Sequence, residues 1–437
     1  MLNHLTKIKA LKKLLEQNRL IHSIHNNSFF YNDEPSFYTY GVELNTDGGL
    51  LNKRDYYSYF MHNPVCGGLS FQSKRLALLK SLAETLERLS LYIFPVKSVV
   101  YSSFAELVKK GKKALDPFFY TDKKRVKTIP LGWITGFNLV KNHAVLIPAQ
   151  LVFLQYHHYL SYVRSRQEPI LSRLLSTGAA SGTNHEDTLL RSIYEVVERD
   201  AAMTTYLLKS PVTTIDINSV SSTSVKKIQS YCIDYHLNWL LFDITNDLQI
   251  PTYMSILLDR SGVGPAVAVG TKSSLNSSTA IVGSVEEAFM SRFWGRNEMI
   301  KQNYTIPRYQ YKNITTLSQR ALFWSSRDKI KLLKYLTGLP AKRYQPIRSE
   351  TILSQKKELN KLLGMIVKKG YWVYYVDITL PMFKKINFFA YKAIIPGLQP
   401  LYLDEQLQEL RPARLKEVAR YFHQQRLEIN SVPHFYL

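Results

Sequence analysis

Hydrophobic and polar residues alternate along this chain in two distinct patterns. Apolar residues recur at helical spacing in three long stretches, at residues 73–92, 186–208 and 284–301. Short runs rich in β-branched and aromatic residues predict strands at residues 252–258, 371–378 and 388–395. Because both patterns are present in one chain, the sequence predicts a mixed α/β (α+β) fold.

The N-terminal part of the chain differs from the rest of the sequence. Up to about residue 60 we predict a basic helix followed by Asn- and Tyr-rich loop material, and this part carries no motif. We therefore divide the chain into an N-terminal segment, residues 1–60, and a domain, residues 61–437. Polar stretches at residues 210–224 and 301–318 predict loops or boundaries.

Composition narrows the class of protein. With 437 residues, 45% hydrophobic and 21% charged, the chain is that of an ordinary folded protein, which excludes disorder and a coiled coil. Its two cysteines, Cys66 and Cys232, are too few for a disulfide framework or a zinc site built on several thiolates, and indicate a reducing compartment. The first 20 residues lack the apolar core of a signal peptide, and no apolar run is long enough to span a bilayer. We expect a soluble, cytoplasmic protein that does not associate with a membrane.

The chain is strongly basic, with 57 Lys and Arg against 34 Asp and Glu and a formal charge of +23. Such a charge favours contact with phosphate, so nucleic-acid binding has to be considered. The basic residues, however, form short clusters scattered over the whole length and do not concentrate in one arm. Solvated surfaces explain them best, attraction of a polyanion such as ATP or an acidic peptide comes second, and a nucleic acid is the least expected partner.

One sequence pattern is repeated. Residues 78–88 and 189–199 share the order Leu-Leu-basic-Ser-x-x-Glu-x-x-Glu-Arg, and residues 284–292 form a weaker third copy. On a helix this spacing places two carboxylates and an Arg on one face and apolar residues on the other. A single copy is typical of a solvated helix, but two full copies in the same apolar frame favour a shared purpose.

Two such helices packed side by side would bring four carboxylates together. These belong to Glu84, Glu87, Glu195 and Glu198. Carboxylates at close range repel one another and raise their own pKa values, so a positive group has to compensate them. Mg²⁺ suits this role because it prefers carboxylate oxygens and bridges them to phosphates. The small-residue stretch 176–184 leads into the second helix. It is either an anion-binding loop at the N-terminus of that helix or an ordinary helix start.

These residues resemble the YcaO family, whose members use ATP to activate backbone amides of peptides. The resemblance runs from about residue 60 onward. It is carried by Gly67-Gly68-Leu69-Ser70 through Arg88, by residues 176–200 with the string Glu-Val-Val-Glu-Arg-Asp-Ala, by residues 280–292, and by Val376-Asp377-Ile378-Thr379 with Pro396-Gly397-Leu398-Gln399-Pro400-Leu401. The last pair is similar to the stand-alone cyclodehydratase branch that makes azole-modified peptides.

The resemblance implies a set of site residues and two cofactors, ATP and Mg²⁺. The implied roles are metal ligands Glu84, Glu87, Glu195 and Glu198; catalytic residues Glu84, Glu195 and Arg292; and nucleotide contacts Asn184, Arg199, Ser81 and Glu287. In the family reaction a Cys, Ser or Thr side chain attacks the preceding carbonyl carbon, and the oxyanion takes the γ-phosphoryl group of ATP. Loss of phosphate then leaves an azoline ring. No nucleophile of the enzyme is required, because positioning and charge neutralisation support phosphoryl transfer.

Four departures from the family pattern bear on the outcome. The first glycine motif has no Lys, so that Lys74 or Lys80 would have to substitute, and Lys80 itself stands where the family has a Ser, with Ser81 one position later. Met290 replaces a Gln, and the family's Pro-x-Pro-x-Pro ending is reduced to Pro433 in the sequence 433–437. These changes bear less on the nucleotide site than on ring formation.

The resemblance also predicts partners. We expect a ribosomally made precursor peptide, a separate ThiF-like leader-binding protein, in some pathways a flavin-dependent dehydrogenase, and a homodimer or hetero-complex. Two alternatives stay open: thioamide or amidine formation by the same ATP chemistry, and a degenerate ATP-binding scaffold subunit, which Met290 favours. A TfuA-like neighbouring gene would indicate a thioamide.

Overall fold

The structure is a computed structural model that describes residues 2–28, 30–35, 37–45, 56–57, 65–121, 124–163, 168–173, 176–345 and 353–437. The chain forms two compact units, each assembled from separate stretches. The first unit comprises Met1–Ser28, Tyr38–Val196 and Gln355–Gly397. The second unit comprises Phe29–Phe37, Val197–Ser354 and Leu398–Leu437.

Helices are distributed over both units. The α-helices of the described residues are α1 Leu2–Gln17, α2 Lys74–Tyr92, α3 Phe104–Lys109, α4 Tyr156–Val163, α5 His185–Leu208, α6 Thr223–Asp234, α7 Ser277–Lys301, α8 Leu317–Ser325, α9 Lys334–Thr337, α10 Gln355–Lys368, α11 Pro381–Lys384 and α12 Pro412–Tyr421.

Strands are short and alternate with these helices. They are β1 Ile21–Asn26, β2 Tyr38–Leu44, β3 Tyr56–Tyr57, β4 Val65–Ser70, β5 Phe94–Pro95, β6 Val100–Ser103, β7 Pro130–Asn138, β8 His143–Pro148, β9 Ala179–Gly182, β10 Thr213–Asp216, β11 Asn238–Asp243, β12 Thr252–Leu258, β13 Val267–Ser273, β14 Lys342–Arg343, β15 Tyr374–Asp377 and β16 Phe389–Ile394.

In the first unit, α2 is held against the antiparallel sheet β1-β2-β4. The helix begins after Ser73, whose side chain accepts a hydrogen bond from the Leu76 amide. Its apolar face, including Leu82 and Leu86, is fully buried. Gly68 of β4 lies so close to the helix that a Cβ would be 2.2 Å from the Ala77 carbonyl oxygen. This close approach explains the glycine in the first family motif and fixes the height of α2 above the sheet.

The first unit has a second, larger sheet. Its strand order is β6-β7-β15-β16-β9, with β8 paired to β7, and all of the pairs are antiparallel. Trp133 and Phe383 are among the fully buried side chains of the core that packs against it. The residues just before α5 form β9, so the small residues of this stretch pair with β16 before the helix starts.

The second unit is built around one five-stranded sheet, ordered β13-β12-β11-β10-β14. All its pairs are antiparallel except β10 with β14, which are parallel. The long helix α7 packs on β13 and β12. Gly270 of β13 permits this contact, because a Cβ there would be 2.2 Å from the Ser284 carbonyl oxygen. A glycine thus sets the distance between strand and motif-bearing helix in both units.

Most of the predicted elements are confirmed. The three helices are α2, α5 and α7, although α7 starts at Ser277, two turns earlier than predicted, and the three strands are β12, β15 and β16. The prediction of loop after the first helix is wrong for β1 and β2, and residues 46–55 and 58–64 lie outside the described residues. The loop predicted at residues 210–224 is also wrong in part, since it contains β10 and the start of α6. Among the described residues, no helix has the length and apolar character needed to cross a bilayer.

Candidate active site

The first unit brings together three of the four carboxylates of the repeated motif. Glu84 and Glu87 lie on α2, and Glu195 lies on α5. The Glu84 carboxylate accepts a hydrogen bond from the Gly67 amide at 2.8 Å and pairs with Arg88 at 3.2 Å. The first glycine motif therefore holds a motif glutamate through its backbone.

Glu87 has the most perturbed carboxyl group of this cluster. Loss of hydration raises its pKa to about 8, and repulsion from Glu195 and Glu84 adds to that rise while Arg88 opposes it. Lys392 of β16 shows the opposite shift. Its burial lowers the pKa of the ammonium group to about 8, although attraction to Glu195 and Glu87 works against the shift, and its Nζ donates to the Thr177 carbonyl at 2.6 Å. Glu84, Glu87, Glu195, Arg88 and Lys392 are referred to below as the unit 1 cluster.

The unit 1 cluster fits Mg²⁺ by its donor set. Oxygen ligands from carboxylates are those that Mg²⁺ prefers, and a bound cation would offset the loss of hydration and the repulsion from Glu195 and Glu84 that raise the pKa of Glu87. Among the described residues, no three His, Cys, Asp or Glu side chains are already arranged as a metal-binding group. Arg88 and Lys392 supply the positive charge beside these carboxylates in this structure. The carboxylates would have to turn away from both groups to coordinate a cation.

Glu198 lies one helical turn beyond Glu195 on α5, in the second unit, where it has its own partners. Its side chain is 1% exposed, accepts a hydrogen bond from the Thr271 hydroxyl at 2.9 Å, and lies 3.8 Å from the Arg199 guanidinium. Lys272 of β13 reaches both Glu198, at 3.6 Å, and Glu287 of α7, at 3.0 Å. We call Glu198, Glu287, Lys272, Thr271 and Arg199 the unit 2 cluster.

The remaining expected site residues have local partners. Asn184 is exposed and caps α5, since its side chain accepts from the Asp187 amide at 3.0 Å. Ser81 is fully buried and donates to the Cys66 carbonyl at 3.0 Å. A nucleotide contact by either residue stays a prediction.

Arg292 lies in a buried ion-pair network of the second unit. Its guanidinium donates to Glu34 and to Asp259, both at 2.8 Å, and the side chain is 4% exposed. Because two carboxylates and the Pro265 carbonyl accept from three of its five N–H groups, this geometry favours a role for Arg292 in packing within its unit. Its expected contact with phosphate stays a prediction that this network does not support.

The departures from the family pattern also have places in the structure. The Lys80 ammonium donates to the Leu69 carbonyl at 3.0 Å, so it ties α2 to β4, whereas Lys74 is exposed. His434, Phe435 and Tyr436 are buried in the second unit. The C-terminal segment, which departs from the family's Pro-x-Pro-x-Pro ending, is therefore a packed part of that unit.

Sequence reasoning missed the two lysines that compensate the carboxylates. Lys392 lies in an apolar strand, next to Tyr391 and Ala393, and Lys272 follows the glycine that contacts α7. A basic residue inside an otherwise buried strand is the signal that could have indicated them, because such a charge requires a partner.

The pKa shifts of the unit 1 cluster predict how stability depends on pH. The carboxyl group of Glu87 has a pKa of about 8 in the folded chain and its ordinary pKa of 4.5 in the unfolded chain. The folded chain therefore binds more protons between these two values, and the contribution of Glu87 to stability falls as the pH rises from 4.5 to about 8. Lys392 acts oppositely, and its contribution rises from about pH 8 towards its ordinary value of 10.5. We expect Glu87→Gln to remove the fall between pH 4.5 and about 8 and to raise the free energy of unfolding at pH 8 by about 1–2 kcal/mol.

Urea unfolding at several pH values measures this effect. The control is Glu16→Gln, on the exposed face of α1, which should keep the profile of the native protein. An unchanged profile in Glu87→Gln would show that this carboxyl group is not under strain in the folded chain.

Comparison with known proteins now identifies the family. The model of the family described as "YcaO cyclodehydratase, ATP- and Mg²⁺-binding" matches residues 72–399, which include α2, α5 and α7. The chain belongs to the YcaO family. Its fold is that of the YcaO proteins, and ATP and Mg²⁺ are the cofactors of this family.

Solved YcaO-type structures share the fold. A structure described as "Heterocyclase in complex with substrate and Cofactor" matches with a TM-score of 0.71 at 16% identity, over 98% of this chain and 57% of that one. The YcaO from Methanopyrus kandleri, bound with AMPPCP and Mg²⁺, matches with a TM-score of 0.63 at 13% identity, over 91% of each chain. The chain thus spans little more than half of the first of these proteins, and the likenesses establish the fold.

One curated relative is informative by its genetic context. An uncharacterized protein in the tfuA 3' region of Rhizobium leguminosarum bv. trifolii is 28% identical over 133 residues, which are 30% of each chain. The match covers less than a third of that protein's length, so it concerns one part of the YcaO domain.

Proposed function

We propose that this protein uses ATP and Mg²⁺ to activate a peptide backbone amide, and that its reaction is the cyclodehydration of Cys, Ser or Thr to azolines in a ribosomally made precursor. The observation that carries the proposal is the unit 1 cluster, where three motif carboxylates gather within a YcaO domain. Carboxylates that repel one another are suited to hold a divalent cation, and a cation is what phosphoryl transfer requires.

Each residue of the unit 1 cluster has a proposed task. Glu84, Glu87 and Glu195 coordinate Mg²⁺, with Glu84 positioned by the Gly67 amide. Arg88 and Lys392 keep the cluster near neutrality until the cation arrives, because both lower the pKa of Glu87 against the rise that loss of hydration and repulsion from Glu195 and Glu84 cause. In the second unit, Glu198 and Glu287 are proposed as cation contacts and Arg199 as a phosphate contact.

ATP supplies the phosphoryl group that converts the amide oxygen into a leaving group. The substrate's side-chain oxygen or sulfur loses its proton and bonds to the carbonyl carbon, and the resulting oxyanion takes the γ-phosphoryl group, so that ATP becomes ADP. The carbon then loses this oxygen as phosphate while the amide nitrogen loses its proton and forms a C=N bond. The net change in the peptide is therefore the loss of one water. The precursor peptide and a ThiF-like leader-binding protein are the proposed partners, as are a flavin-dependent dehydrogenase for oxidation to the azole and assembly as a homodimer or hetero-complex.

Mass spectrometry of the precursor peptide tests this proposal. The protein is incubated with the peptide encoded beside it, the partner protein, ATP and Mg²⁺, and phosphate release is followed in parallel. We expect the peptide to lose one water mass per ring, with one phosphate released for each. Nucleotide binding without any phosphate release or mass change would indicate the scaffold alternative and contradict the proposal.

Thioamide formation is a second candidate function, favoured by one observation. The relative in the tfuA 3' region suggests that part of this YcaO domain resembles proteins encoded beside tfuA. With a sulfide source in the same assay, a gain equal to the replacement of oxygen by sulfur would assign thioamidation. Loss of water without this gain would assign cyclodehydration.

A further inference from the structure

Lys272 stands between two carboxylates of the unit 2 cluster. Its Nζ lies 3.0 Å from Glu287 Oε1 and 3.6 Å from Glu198 Oε2. Glu198 is 1% exposed, whereas Lys272 and Glu287 are exposed by 38% and 37%. The ammonium group therefore covers a buried carboxylate on its solvent side.

The path of the Lys272 side chain is shaped by α7. A Cβ on Gly283 would lie 2.7 Å from Lys272 Cγ and 3.1 Å from its Cδ, so only a glycine leaves room for the aliphatic part of this lysine. The preceding residue, Thr271, donates its hydroxyl hydrogen to Glu198 Oε1 at 2.9 Å. Gly283 leaves space for the lysine side chain, and two consecutive residues, Thr271 and Lys272, contact Glu198. A solvated surface ion pair contributes little to stability and needs no such packing.

Glu198 is a buried carboxylate with two cationic neighbours, Arg199 at 3.8 Å and Lys272 at 3.6 Å, and Lys272 also reaches Glu287. A buried carboxylate that loses its partner costs several times more than an exposed pair contributes. An ammonium group and a divalent cation can each meet this need, but a cation that takes an oxygen of Glu198 and an oxygen of Glu287 would occupy the place of Lys272 Nζ. Binding of the metal and pairing with the lysine are therefore mutually exclusive.

We propose that Lys272 is the resident counter-ion of Glu198 and Glu287, which holds both carboxylates in place before cofactors bind and whose ammonium group turns to pair with a nucleotide phosphate when these carboxylates hold Mg²⁺. The inference rests on the proposed function, because it assumes that these carboxylates serve Mg²⁺ and nucleotide. It makes Lys272 a positioning residue with two opposite effects: it competes with free metal and attracts the metal-bound nucleotide.

Lys272→Met tests the inference, since it keeps the length of the side chain and removes its charge. Two affinities are measured on the purified full chain: that of free Mn²⁺ by electron paramagnetic resonance, and that of a nonhydrolysable ATP analogue with Mg²⁺ by calorimetry. We expect Mn²⁺ to bind about tenfold more tightly, because its competitor is gone, and the analogue about tenfold more weakly, because a phosphate contact is lost. Lys272→Arg, which keeps the charge, should restore most of the analogue's affinity.

Gly283→Ala and Lys301→Met complete the design. Gly283→Ala displaces the lysine without changing any charge and should move both affinities in the same directions as Lys272→Met. Lys301→Met removes a lysine from α7 that pairs with Glu298, and should leave both affinities unchanged. A purely structural lysine would lower both affinities together with the melting temperature, and that result, or no change in either, would overturn the inference. A native protein that binds no nucleotide would instead refute the proposed function itself.

Discussion

Glu195→Gln is expected to abolish peptide modification while the protein stays folded. The substitution keeps the shape of the side chain but removes a charge from the unit 1 cluster, where Glu195 acts on both Glu87 and Lys392. A cation held by fewer carboxylates binds more weakly and neutralises phosphate charge less well, so we expect the rate of ATP-dependent modification to fall about 100-fold or more. Phosphate release with the precursor peptide measures this rate.

The matched control is Asp187→Asn on the same helix. Asp187 forms an exposed ion pair with Arg191 at 2.6 Å, which contributes little to stability, and its loss should leave the rate unchanged. Melting temperatures of both variants show whether the chain remains folded. A Glu195→Gln variant that retains the native rate would remove Glu195 from the site.

The second large effect is expected at Arg414, which lies fully buried in the second unit. Its guanidinium donates to Asp200 at 2.6 Å and pairs with Asp247 at 2.7 Å, and Asp200 also accepts from the Gln399 amide. Arg414→Met would leave these carboxylates buried without their cation. We expect a loss of about 3–5 kcal/mol in the free energy of unfolding, as measured by urea denaturation.

Arg420→Met provides the comparison, because Arg420 is exposed on the same helix, α12. It should change the free energy of unfolding by less than about 0.5 kcal/mol. Adding Asp200→Asn to Arg414→Met should recover part of the loss, since one unpaired charge is removed. A loss below about 1 kcal/mol in Arg414→Met would mean that the network adds no more than a surface pair.

The sequence was sufficient for the helices and strands that carry strong periodicity. α2, α5 and α7 combine an apolar face with a motif, and β12 is a fully buried run, so local pattern and tertiary packing agree in them. β1 and β2 were missed because their burial alternates irregularly and because β4, which pairs with β2, follows later in the chain. Pairing between distant segments leaves little trace in a local pattern.

The candidate site was predicted only in part, because contacts between distant segments leave little trace in a local sequence pattern. The repeat indicated which carboxylates share a helix face, and the structure brings Glu84, Glu87 and Glu195 into electrostatic contact. The repeat could not indicate that Lys392 compensates the carboxylates of the unit 1 cluster or that Lys272 pairs with Glu198 and Glu287, since strands outside the repeat supply both lysines. Nor could the repeat show that Arg292 is enclosed by Glu34 and Asp259, because these contacts join residues 258 and 33 positions apart, beyond the span of one helical motif.

The proposed activity depends on cation binding by the unit 1 cluster, and a crystal structure with a nonhydrolysable ATP analogue and Mn²⁺ tests this binding most directly. The anomalous signal of Mn²⁺ locates the metal without ambiguity. We predict a metal ion coordinated by carboxylate oxygens of Glu84, Glu87 or Glu195, with Lys392 turned away from them. Metal bound elsewhere, with Glu84 still paired to Arg88 and Glu87 still beside Lys392, would contradict the proposed cation site.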